Sequence, residues 1–150
     1  MALKASTGLR NYVLQTGALR DALNLGFIDI YNGIPPASAD DAIGSLGANT
    51  LLVRISNNST ATGITFAATA SLGTIEKEST ETWAGTAVAS GTATFYRHVS
   101  ASDTGASSTT ESRLQGNVAN AGAELNMSEP NIVSLASQKI DYYLTNLPTA

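Results

Sequence analysis

The sequence predicts an all-β fold, an antiparallel β-sandwich or jelly roll with an N-terminal helix or arm. Three observations point there. Short β-rich runs recur at regular spacing, separated by Gly, Pro, Asn and Ser turn clusters. Helical periodicity is confined to residues 1–25. Charged residues make up only 13% of the chain against 43% apolar, about half the usual charged share at ordinary hydrophobicity, which argues for a folded chain rather than a disordered one. The polar surface then falls to small uncharged residues, and 23 Ala, 18 Thr, 16 Ser and 13 Gly supply nearly half of the 150 residues. Residues 1–25 read as a helix or arm and residues 26–150 as one β-sandwich domain, long enough for a modest core.

In the first segment Leu9, Tyr12, Val13, Leu19 and Leu23 fall near helical spacing, with Arg10, Gln15, Arg20 and Asp21 between them. Ser6 or Thr7 is placed to cap the start and Gly26 to end it, giving a helix of roughly 15 residues, about 23 Å long. Gly8 and Gly17 weaken it. Such a helix either packs on its own sheet or docks on a neighbouring molecule.

The period changes after Gly26. FIDIYNG (27–33) alternates and is stopped by Gly33, Pro35 and Pro36, and LLVRIS (51–56) ends in the turn cluster Asn57-Asn58-Ser59-Thr60. GITFAATA (63–70) and LGTIEKES (72–79) read as two further strands. Trp83 leads into GTAVASGTATFYRHVS, where Ser90-Gly91 predicts a hairpin turn between two arms. ASDTGASSTTE (101–111) predicts a flexible, exposed loop. RLQGNVA (113–119), AELNM (123–127), NIVSLA (131–136) and KIDYYLTNL (139–147) complete the set.

Several function classes are disfavoured. A net charge of −4 without a Lys/Arg cluster gives no footprint for direct nucleic-acid binding and no basic helix for an anionic membrane. No apolar run approaches the roughly 18 residues of a membrane span. The start Met1-Ala2-Leu3-Lys4 lacks an apolar signal core, so synthesis and residence in the cytosol, or in something assembled there, are expected. With no cysteine there is no disulfide, thiolate metal site or Cys nucleophile.

Phosphate-loop, dinucleotide, nucleophile-elbow and zincin motifs are missing. His98 is the chain's one histidine and stands on a predicted strand, where a structural role outweighs catalysis. Asp40-Asp41 suits a cap or a solvated loop better than calcium. Glu76 and Glu78 on one strand would lie roughly 7 Å apart, within reach of inverting glycoside chemistry, but a solvent-facing strand is the simpler reading. Trp83 reads as core. No catalytic, cofactor or metal residue is assigned.

The phrases IYNG-x-PP-x-SAD, W-x-GTA-x-x-SGTA-x-FYR and LQG-x-V-x-x-x-GAELN, in this order, resemble a family of small tailed-phage and prophage virion structural proteins. The resemblance covers roughly residues 25–147, and the end YYLTNLPTA fits its proline-terminated tail. It implies a non-enzymatic β-rich particle component, a capsid decoration (cement) protein on the capsid exterior, assembled in the bacterial cytoplasm. Its partners would be the major capsid protein and copies of itself, as trimer or dimer. A tail-associated component, or a carbohydrate- or receptor-binding module, is the alternative. Leu9, Tyr12, Val13, Leu19, Arg97 and His98 are the candidate subunit or capsid contacts. In the strand FYRHVS, Phe95, Arg97 and Val99 should face one way, Tyr96 and His98 the other, with both faces covered.

Overall fold

A computed structural model describes residues 3–146. The proline-terminated tail, residues 147–150, lies outside the described residues. In chain order the elements are β1 (Lys4–Ala5), α1 (Thr7–Gln15), α2 (Leu19–Leu23), β2 (Phe27–Asn32), β3 (Thr50–Asn57), β4 (Thr74–Glu76) and β5 (Trp83–Thr86). β6 (Gly91–Thr92), β7 (Phe95–Val99), β8 (Arg113–Ala119), β9 (Leu125–Asn126), β10 (Asn131–Ile132), β11 (Ser137–Ile140) and β12 (Leu144–Asn146) follow. One large sheet runs β1-β8-β7-β2-β3-β5-β11, antiparallel throughout, and β9 adds parallel to β8. Two ribbons, β10-β6 and β12-β4, stand apart from it.

The N-terminal helix starts where the sequence places it. Ser6 is extended, and its Oγ accepts the Leu9 N–H at 3.1 Å. It does not run on to Leu23. Thr16 and Gly17 both donate backbone N–H to the Tyr12 carbonyl, at 2.8 and 3.0 Å, which closes α1. Ala18 is then extended, and α2 begins afresh. A β-branched residue followed by glycine is a poor helical pair, enough to break a marginal helix here. The segment folds onto its own sheet: β1 pairs with β8, and Leu9 and Leu23 belong to the core.

Three strand expectations fail in informative ways. β5 and β7 are not hairpin partners, because β2 and β3 lie between them. After β5 the chain instead crosses the end of β3, where Val88 N–H donates to Leu52 O at 2.8 Å. GITFAATA forms only isolated bridges, since its bonds switch from Leu25 and Gly26 to Glu76 and Glu78 within four residues. KIDYYLTNL splits: β11 joins the main sheet beside β5, and β12 pairs with β4.

β7 is buried along all five residues, so both of its faces are covered. The register sets Ile28 beside His98 and His98 beside Leu114, and Asp29 beside Arg97 and Arg97 beside Gln115. The first set faces the apolar core with Ile30, Ile55, Phe66, Trp83, Tyr96 and Tyr143. Trp83 is fully buried, as its size predicts. The second set faces the opposite way, and the 33–49 and 100–112 loops cover it.

Candidate functional site

Four buried polar side chains, Asp29, Arg97, Arg113 and Gln115, share that second face. Asp29 on β2 receives Nε and one terminal nitrogen of Arg54 on β3, at 2.7 and 2.6 Å. This fork raises the Arg54 pKa, and the guanidinium also lies 4.7 Å over the Phe27 ring. Arg113 on β8 forks onto Asp103, in the loop before it, at 2.5 and 2.7 Å. Its Nη1 reaches Ala39 O at 3.1 Å, and the Nη2 that holds Asp103 also donates to Ala106 O at 2.7 Å. The loop 101–111 is therefore anchored at Asp103, not free along its length.

Arg97, between these pairs on β7, is 1% exposed. Its Nε donates to Gln115 Oε1 at 2.8 Å, and one terminal nitrogen reaches Asp41 O at 2.8 Å and Ser38 O at 3.2 Å. Gln115 in turn donates to Pro36 O at 2.8 Å. All of these acceptors are neutral. Burial, and then the neighbouring Arg113 charge, lower the Arg97 pKa to about 10.

His98 points the other way, into an aromatic box of Phe66, Trp83 and Tyr143 with ring centroids 5.3 to 6.3 Å distant. Neither ring nitrogen makes a hydrogen bond of ordinary geometry among the described residues. Burial pushes its pKa down to about 3, against a weaker opposing pull from the Leu23 backbone. The Tyr96 and Tyr143 hydroxyls face each other at 3.3 Å, and burial pushes the Tyr96 pKa up to about 12. A neutral imidazole sealed in apolar rings has no path to a substrate.

Leu9 is core, Val13 and Leu19 pack against it half-buried, and the half-buried Tyr12 ring lies against Gly17. Leu9, Arg97 and His98 thus present almost no surface to another molecule, because the chain's own fold covers them. The structure does not join Arg97 and His98, since they occupy opposite faces of β7.

The carboxylates singled out by sequence have local duties. Asp40 accepts the Thr7 N–H and hydroxyl at 2.7 and 2.6 Å, supporting the first turn of α1, while Asp41 accepts the Ser38 N–H at 2.9 Å. Glu76 stands on β4, whereas Glu78 turns back on Thr80 N–H at 3.2 Å, so the two are not a strand pair. Glu81 receives Thr65 N–H, Thr65 Oγ1 and Trp83 Nε1 at 2.8 to 2.9 Å. Among the described residues no cluster of His, Asp and Glu is arranged to hold a metal ion, and no helix is long and apolar enough to cross a membrane.

No family model, curated protein or solved structure matches this chain.

Sequence reasoning passed over Asp29, Arg54, Asp103, Arg113 and Gln115. The signal was present: in a chain so poor in charge, Asp29, Arg54, Arg97 and Arg113 all interrupt β-rich runs. Charges inside such runs have to be paired or solvated.

Proposed function

We propose that this chain is a non-enzymatic structural component of a tailed-phage particle, a decoration protein that binds and bridges subunits of the major capsid lattice. One observation supports this above the others. The three phrases that carry the family resemblance meet in space. Pro36 and Ser38 of the first phrase hold Gln115 of the third and Arg97 of the second through bonds of 2.8 to 3.2 Å. Arg97 and Gln115 also bond each other at 2.8 Å. The recurring residues thus specify a scaffold, as a particle component requires, and the histidine beside them is spent in the core.

The large sheet on one side of the core, with Ile132 of β10 and Tyr143, just before β12, packed on the other, is read as an open β-sandwich of jelly-roll type. Contact with the lattice is assigned to the exposed Val88, Val133 and Leu135. These flank the bond from Leu135 N–H to Ala87 O, 2.8 Å, and are 64 to 82% exposed. Many copies make modest contacts sufficient, because each docked copy restrains its neighbours. The test is quantitative mass spectrometry of purified particles, with binding of the isolated protein to expanded capsids. Hundreds of copies per particle are expected for a lattice-wide protein, and Leu135→Asp should weaken capsid binding while leaving the protein folded. Absence from purified particles overturns the proposal.

A further inference from the structure

The main sheet does not close on itself. Among the described residues its path ends at β11, which has only β5 beside it. At the other end β1 and β9 share the outer edge of β8, and no strand lies beyond them. β9 and β11 thus each keep one unpaired edge, a row of backbone donors and acceptors open to another chain.

The two edges border one groove. Its volume is about 660 Å³, and it is lined by residues 123–129, which contain β9, and residues 138–144, which run from β11 into β12. Both runs are unbroken. A cavity on the face of a sheet touches every second residue of a strand, so an unbroken lining places the groove alongside the strand edges.

Floor and rim differ in chemistry. Leu125, Ile140 and Tyr143 are 3 to 5% exposed and belong to the core, so the groove bottoms on apolar side chains. The rim sets Glu124, Glu129 and Asp141 against Lys139, a surplus of two negative charges. Lys139 is already held by Asp141 at 3.0 Å. Glu124 and Glu129 accept the backbone N–H groups of Asn117 and Asn131, at 2.8 and 2.9 Å, and form no salt bridge among the described residues. Tyr142, 66% exposed, offers its ring at the same rim.

These features select an occupant. Unpaired edges bind the main chain of an extended segment, and an apolar floor takes every second side chain. The acidic rim favours positive charge on the side chains between them and disfavours nucleic acid. We propose that the groove is a strand-addition site for another protein. The added segment spans about four residues, the length of β11, alternates apolar residues with Lys or Arg, and pairs with β9 on one side and β11 on the other. The site is independent of the decoration role, and its test uses no capsid.

A random peptide display library is panned on the full chain, and the best binder is titrated into ¹⁵N-labelled protein. Enriched peptides should alternate apolar residues with Lys or Arg, and amide shifts should centre on residues 125–127 and 138–142. N-methylation of alternate peptide residues, in either register, should weaken binding about tenfold or more, the scale of two lost backbone bonds. Glu124→Gln combined with Glu129→Gln keeps an oxygen for both backbone N–H groups, removes both charges and should lower affinity severalfold at low salt. Lack of enrichment, shifts centred elsewhere, or affinity indifferent to N-methylation would overturn the proposal. So would unchanged affinity in the folded double variant. A dimer of the full chain in sedimentation, with amides 137–140 protected from exchange, would overturn it too, because a second copy then covers β11. The methylated peptides decide the question even where the double variant does not fold.

Discussion

Asp103 and Arg113 form a two-pronged ion pair at 2.5 and 2.7 Å in which both side chains are 1% exposed. The pair ties the 100–112 loop to β8, and Arg113 carries the tie on to Ala39 and Ala106. In a chain with 20 acidic and basic residues in all, a fully buried pair is a conspicuous use of charge. Its net contribution matters less than the penalty for breaking it, because a lone buried charge is left behind.

Asp103→Asn keeps the shape of the side chain and removes its charge. The expected loss is about 3 kcal/mol in urea unfolding, the lower end for a broken buried pair. Pairing it with Arg113→Met should give a double variant that loses at least about 1 kcal/mol less than the two single losses added together. Strict additivity would show that the pair does not act as a unit.

Ser6 is fully buried and serves three partners. Its Oγ accepts the Leu9 N–H at 3.1 Å and the Arg113 N–H at 3.0 Å, and donates to Glu111 O at 2.7 Å. Cap and inter-element clasp are the same atom. Ser6→Ala should therefore cost about 2 kcal/mol, above the roughly 1 kcal/mol of a typical cap, since buried N–H groups are orphaned on α1 and on β8. Hydrogen exchange at Leu9 and Arg113 should quicken together. Faster exchange at Leu9 alone would mean that Ser6 is only a cap.

Gly85 lies on β5 where an added Cβ would collide with the backbone carbonyl of Arg54 and press on the Val53 side chain. Backbone cannot retreat without opening the β3–β5 ladder. Gly85→Ala is expected to cost more than about 2 kcal/mol in thermal or urea unfolding, although glycine-to-alanine changes normally favour a strand. A neutral result would show that β5 can shift away from β3.

The pattern of the sequence made some of this fold readable and hid the rest. β8 occupies residues 113–119, the run RLQGNVA, because Leu114 and Val118 alternate cleanly with its polar residues. The core position of Trp83 and the double coverage of FYRHVS were readable from side-chain size and alternation. Partner choice was not. The hairpin at Ser90-Gly91 is locally reasonable, yet β7 needs neighbours on both edges and cover on both faces, and it finds β2 and β8 instead. The polar face stayed hidden for a similar reason. Asp103 and Arg113 lie on either side of a Ser/Thr-rich stretch that looks like free loop, and only the folded register brings Arg97 between the two ion pairs.

His98 supplies the last prediction, and its sign follows from its surroundings. The folded pKa is pushed down to about 3 from an ordinary value of 6.5, so the folded protein holds the imidazole neutral while the unfolded chain protonates readily. Below pH 6.5 the unfolded state therefore binds more protons than the native one. Stability from this residue is full above pH 6.5 and is lost as pH falls toward 3, at up to about 1.4 kcal/mol per pH unit. Carboxylates protonate at the lower end of that window, so the wild-type curve alone does not isolate the histidine. His98→Phe does, because it keeps a ring among Phe66, Trp83 and Tyr143 and removes two buried nitrogens that make no hydrogen bond of ordinary geometry among the described residues. At pH 7 the variant should be neutral or gain about 1 kcal/mol, provided the slightly larger ring fits. Between pH 6.5 and 5 its urea midpoint should stay flat while that of the wild type falls. Parallel curves for the two proteins would mean that His98 titrates in the folded state much as it does in the open chain, and that the aromatic box is wet.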